Sequence, residues 1–150
     1  MATAVAYLPR GLPTPVPEPD GLDAPYWAGT RRRELLVQRC DRCATWQWGP
    51  EWMCHACLAF DPGWAPVEGR GVIYSWERVW HPVHPALKAH GPYLVVLVEL
   101  AHAGGIRMLG NLLGDPRQAV TIGAAVDAVF EAHDAAAVPF TLVQWKRSAR

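Results

Sequence analysis

The chain has 150 residues, 51% of them apolar, and fourteen basic side chains matched by fourteen acidic ones for a formal net charge of zero. That length bounds it to one domain, or one domain with a small appendage, and the apolar fraction is enough for a core. The balance excludes the basic footprint of a nucleic-acid binder, and it holds locally, since residues 1–60 carry six charges of each sign. No stretch approaches the eighteen or so apolar residues of a membrane span, and "LVVLVELA" (94–101) has the length of a strand. The N-terminus shows no charged region followed by an apolar run, so no secretion signal is expected and the expected location is cytoplasmic. In that compartment four cysteines are expected to be reduced or metal-bound rather than paired as disulfides.

In chain order, residues 1–25 hold six prolines (Pro9, Pro13, Pro15, Pro17, Pro19 and Pro25) and read as an extended arm, over 1–24. "APYWAGTRRRELLVQRC" predicts a short helix capped at Asp23 or Ala24, with Pro25 in its first turn and Trp27, Leu35 and Leu36 for burial. Gly29 weakens that helix, and "ELLVQRC" can already be a strand. The cysteine module follows and closes at the turn "DPGW", which gives a helix-plus-ribbon unit over 25–64. From there, "GRGVIYSWERVW", "PYLVVLVELA", "GIRMLGNLLG", "AAVDAVFEAH" and "PFTLVQWKR" are five apolar or alternating segments separated by Gly, Pro and Asp clusters. Five such strands with one long connection predict a mainly β domain over 65–150, a five-stranded OB-type barrel.

Cys40-Asp-Arg-Cys43 and Cys54-His-Ala-Cys57, ten residues apart, are two CxxC knuckles. Each aims two thiolates at one ion, and together they complete a tetrahedral tetrathiolate shell, for Zn²⁺ or, in a rubredoxin-like geometry, iron. Such a shell is closed, so the metal is structural, and no thiol is left as a nucleophile. The two serines, Ser75 and Ser148, lie in a predicted strand and in the terminal tail, so covalent catalysis by this chain is not expected. His81, His84 and His90 sit in a proline-rich loop and read as part of a connection between strands, with no acidic residue to orient them. His55 falls inside the second knuckle; His102 and His133 fall at strand ends. Arg31, Arg32 and Arg33 form the one dense basic run, read as a solvated helix face or, more sharply, as a phosphate contact. Eight tryptophans are many for this length, and five fall within 27–64. A ribbon has little interior, so some of these rings pack between ribbon and barrel while others offer a partner surface, with Trp46, Trp48 and Trp52 the candidates.

The order "YWAG", "CDRCATWQWGPEWMCHAC", "GRGVIYSW", "PYLVVLVEL" and "IGAAVDAVFE" resembles the DUF35 family, acyl-CoA-associated OB-fold proteins with a rubredoxin-like zinc ribbon, over about residues 24–145. The family's ribbon cysteines carry over to Cys40, Cys43, Cys54 and Cys57, and its strand after the "GRG" turn to Val72–Val79. Its usual "PP" before the second knuckle appears as Gly49-Pro50. The resemblance implies a non-catalytic accessory subunit of a thiolase-superfamily enzyme: a thiolase, a synthase assembly, or a lipid-transfer-protein-type aldolase acting on steroid side chains. It implies a hetero-oligomer, in which Arg31–Arg33 lie near the CoA phosphates and the acyl-CoA is bound through the partner. The competing reading is a single-stranded nucleic-acid-binding OB and zinc-ribbon protein, which the absence of a basic stripe disfavours.

Overall fold

The computed structural model describes residues 6–149. One helix, α1 (Ala24–Arg31), leads into β1 (Leu35–Arg39), β2 (Trp46–Gln47) and β3 (Gly63–Val67), which form a small antiparallel sheet in the order β2-β1-β3. The remaining strands are β4 (Arg70–Val79), β5 (Tyr93–Leu100), β6 (Ile106–Asn111), β7 (Ala125–His133) and β8 (Phe140–Arg147), in the order β6-β5-β4-β7-β8. The five segments expected as strands are these five. Among the described residues no helix is long and apolar enough to cross a membrane.

The helix ends earlier than its pattern allowed. Its N-cap Asp23 makes no cap bond; the carboxylate accepts Trp27 Nε1–H instead, at 2.7 Å. Arg33 takes a left-handed conformation, φ 63°, and "LLVQR" then runs on as β1, where Leu35 and Val37 are buried and Leu36 is half-buried. Thr30 is buried at the last turn, with its hydroxyl donating to Trp27 O (3.0 Å). α1 packs on β1 and on β8, which ties the ribbon to the barrel.

In β5, Leu94, Val96, Val98 and Leu100 are buried while Tyr93, Val95, Leu97 and Glu99 point outward, a period-two pattern hidden inside an almost continuous apolar run. β4 carries a bulge between Ile73 and Ser75. It switches the inward set from the odd positions Gly71 and Ile73 to the even positions Trp76 and Arg78, as the partners Val98, Val96 and Leu94 show. Gly71 is needed on that inward face: a Cβ there would lie 2.5 Å from Val98 Cγ1 and 2.6 Å from the Glu99 carbonyl. The barrel closes where Leu112 bridges Trp145 in parallel and Leu113 N–H donates to Trp145 O (2.8 Å). Gly110 makes that closure possible, since a Cβ would sit 2.7 Å from Trp145 Cδ1. At one end Arg78 donates to the carbonyls of Pro116 (2.8 Å) and Gln118 (2.5 Å), with its guanidinium near Trp76 and Trp80. The proline-rich arm lies against the barrel over its described part, where Tyr7 N–H donates to the buried Glu131 carboxylate (3.3 Å). Residues 1–5 of the expected arm lie outside the described residues.

Candidate metal centre and docking surface

The two knuckles are built alike. In the first, Cys40 N–H donates to Thr45 O (2.9 Å), Ala44 N–H donates to Cys40 O (2.8 Å), and Ala44 has φ 60°. In the second, Cys54 N–H donates to Ala59 O (2.9 Å), Leu58 N–H donates to Cys54 O (3.0 Å), and Leu58 has φ 59°. This left-handed turn after each second cysteine folds the pair back on itself. Sulfur–sulfur distances of 3.6 Å for Cys40–Cys57 and for Cys43–Cys54 cross-link the knuckles, and all four Sγ atoms lie within 4.8 Å of one another. A tetrahedral shell with metal–sulfur bonds of about 2.3 Å has edges of roughly 3.8 Å, so the set fits one ion. Among the described residues this is the only group of three or more His, Cys, Asp or Glu side chains able to hold a metal.

Electrostatics point the same way. The Thr45 hydroxyl and backbone N–H favour a thiolate at Cys43, which falls to about 6. At Cys57 the Ala59 N–H also favours the thiolate, but burial and the neighbouring sulfurs Cys43, Cys40 and Cys54 outweigh it and push the thiol up to about 11. Four thiolates this close repel one another, and a cation among them is what lets all four ionise. Bound there, a metal supplies a cross-link between the knuckles with no open coordination position.

Two buried glutamines hold the segment between the knuckles. Gln47 Nε2 donates to Gln38 Oε1 (2.8 Å), Gln38 Nε2 donates to Glu51 O (3.0 Å), Glu51 N–H returns to Gln38 Oε1 (2.9 Å), and His55 N–H donates to Gln47 Oε1 (3.2 Å). Sequence reasoning passed over this pair, whose only signal is one glutamine in each of two short segments flanking the first knuckle. The tryptophans divide. Trp46 and Trp48 are half-buried against the main core, Trp48 also against Tyr26, with ring centroids 4.9 Å apart. They wall a cleft of about 420 Å³ between ribbon and barrel, with Glu51, His55, Gly104 and Gly105 on its other sides. Trp52 instead stands 61% exposed, and so do three nearby residues of the same knuckle that the sequence reading did not single out: Met53 (38%), Leu58 (63%) and Phe60 (75%). A tryptophan count draws the eye to Trp46–Trp52, whereas the exposed apolar surface is set by the turns of the second knuckle.

Arg31, Arg32 and Arg33 do not converge. Arg31 donates to Pro139 O (3.3 Å), Arg32 pairs with Glu34 (3.0 Å) and also donates to Ala28 O, and all three are exposed. In the loop after β4, His84 Nδ1 accepts Ala86 N–H (3.2 Å) at the start of a 3-10 turn, Pro85–Leu87, while His81 and His90 face solvent. His133, given no role from the sequence, lies 2.7 Å from Glu131 and stacks on Phe140 at 4.5 Å; the i, i+2 spacing on one strand face is the signal that was available.

A tetracysteine ribbon joined through one helix to a five-stranded OB barrel is the architecture of the ribbon-bearing OB-fold proteins. The model of the family described as "ChsH2, C-terminal OB-fold domain" matches residues 64–131. A solved structure described as "Ltp2-ChsH2(DUF35) aldolase" is 31% identical, superposes with a TM-score of 0.71, and is matched over 85% of this chain and 94% of that one. The chain belongs to the DUF35 family. A DUF35 protein of unknown function from Sulfolobus solfataricus, 12% identical with a TM-score of 0.61 and matched over 86% of this chain and 87% of that one, shares the fold. Among curated proteins, a "probable enoyl-CoA hydratase alpha subunit" from Thermomonospora curvata is 38% identical over 69% of this chain. The "3-oxo-4,17-pregnadiene-20-carboxyl-CoA hydratase alpha subunit" of Mycobacterium tuberculosis is 30% identical over 83% of it. The chain spans 32% and 42% of the lengths of those two relatives.

Proposed function

We propose that this chain is a non-catalytic accessory subunit that binds and supports a thiolase-like enzyme, a thiolase or a lipid-transfer-protein-type retro-aldolase, acting on acyl-CoA thioesters, steroid side-chain CoA esters among them. The observation that carries the reading is the clasp: the four thiols of the chain face one another, which leaves no cysteine for catalysis. The likeness to a DUF35 chain described as part of an aldolase, and to relatives named as alpha subunits of CoA-ester hydratases, supports a partner enzyme and a CoA thioester. On this reading the partner holds the catalytic groups, and the chain divides into an arm (1–24), a helix and ribbon (25–64) and a barrel (65–150). The clasp holds Zn²⁺, with iron the other fit. Arg31–Arg33 lie on the side that meets the CoA phosphates, and Trp46, Trp48 and Trp52 belong to the partner-facing side of the ribbon.

The test is co-expression with a thiolase-superfamily enzyme of the same genome, followed by assay of CoA-ester cleavage by that enzyme with and without this chain. A stable complex whose activity depends on the chain supports the reading. An enzyme fully soluble and active alone, with no complex formed, overturns it.

A further inference from the structure

The second knuckle ends in apolar side chains left exposed by the described residues. Trp52, Met53, Leu58 and Phe60 belong to one hairpin: Met53 and Phe60 are bridge partners, Asp61 N–H donates to Trp52 O (3.0 Å), and Leu58 sits at the turn after Cys57. Met53 and Phe60 share one face of this hairpin and Trp52 the other, so that the four large apolar side chains around the tip together expose on the order of 500 Å². They stand on backbone pegged by Gln38 and Gln47 and clasped by the cysteines, so docking them costs little ordering entropy. The rim is acidic. Glu51 and Asp61, which flank the hairpin on either side, are both exposed, whereas the exposed Arg39 and Arg42 belong to the first knuckle, and a divalent ion in four thiolates adds net negative charge.

We propose that this knuckle tip is the docking hot spot for the partner enzyme and that it enters a concave apolar pocket rimmed by Lys or Arg side chains on that enzyme. The proposal rests on the reading of the chain as a partner-binding subunit. Two other occupants are disfavoured by the same residues. In a two-fold contact with a second copy, acidic rims would face each other, and the patch falls short of the roughly 800 Å² per side of a stable interface. An anionic membrane surface would repel Glu51 and Asp61.

The experiment is isothermal titration of the co-expressed thiolase-superfamily enzyme with wild type, with a tip variant (Trp52→Ser, Leu58→Ser, Phe60→Ser), with a rim variant (Glu51→Lys, Asp61→Lys) and with a barrel-face control (Tyr74→Ser, Leu109→Ser). Metal content and far-UV circular dichroism verify folding, and single substitutions replace any variant that fails there. The tip variant is expected to bind at least 100-fold more weakly, the rim variant about 10-fold more weakly with a flatter salt dependence, and the control within 3-fold of wild type. Wild-type binding with an unaffected tip variant overturns the docking site and leaves the accessory function standing. No binding by wild type overturns the accessory function, and the docking site with it. Dimerisation of the isolated wild type, or its flotation with vesicles of 30% phosphatidylserine, that the tip substitutions abolish assigns the patch to another occupant and overturns the proposal.

Discussion

At Trp145 two requirements meet. The indole is fully buried where β6 and β8 close the barrel, yet its Nε1–H finds no acceptor. Replacing it with Ala is expected to cost about 3–5 kcal/mol through the cavity left behind. Trp145→Phe keeps much of the apolar contact and removes the orphaned donor, so it is expected to cost less than half as much, which urea denaturation of both variants at pH 7 will measure. Tyr26 carries a different liability. Burial, and then the charge of Asp23, push its phenol up to about 12 from the ordinary value of 10. The folded state therefore favours the neutral ring. Its contribution is fully present below pH 10 and is lost as pH rises towards 12, on the order of a few kcal/mol in all. The wild-type urea midpoint should fall across that window and that of Tyr26→Phe should fall less; parallel curves would assign the loss to another group.

At the scale of elements, the ribbon and the barrel depend on different things. The barrel has a core running from Ile73 through Leu94, Val96 and Val98 to Trp145, whereas the ribbon adds Leu35 and Val37 and leans on its clasp. Chelating the metal at pH 7 should loosen the knuckles and wet Trp46 and Trp48, red-shifting tryptophan emission while the β signal of the barrel persists. Cys54→Ser should lower metal affinity by more than about 100-fold, beyond the usual effect of losing an outer partner of a ligand. The knuckles and the five barrel strands were legible because each is written locally, as CxxC spacing or as an apolar run between turns. The bulge in β4 was not: "GVIYSW" has no glycine or proline at the slip, and only the pairing of both Ile73 and Trp76 with buried β5 residues reveals it. The end of α1 was ambiguous because Leu35 serves a helix stripe and a strand equally well, and tertiary packing decided.

For the whole molecule, what the sequence left open was which tryptophans are outside. Trp46, Trp48 and Trp52 all lie between the two knuckles, but the first two are claimed by the main core and the third is not, a difference set by long-range contacts. The cysteine set of the candidate site was legible residue by residue; the exposed trio Met53, Leu58 and Phe60 was not, since each alone reads as core. Balanced charge has a measurable counterpart: a (dT) oligonucleotide of about 20 residues should show no saturable binding at about 50 mM salt by fluorescence anisotropy, and a salt-sensitive isotherm would revive the nucleic-acid reading.

The Leu112–Trp145 bridge has a bearing on how this molecule can be joined to another. Where a sheet ends in a free row of amides and carbonyls, a foreign chain can extend it by strand addition, with little regard for side chains. Here β6 meets β8, β2 is two residues long, and β3 places Pro66 where an amide donor would stand. At the edges blunted in this way, recognition falls to the shape and chemistry of side chains, and selectivity for one partner over another becomes a property that single substitutions can tune.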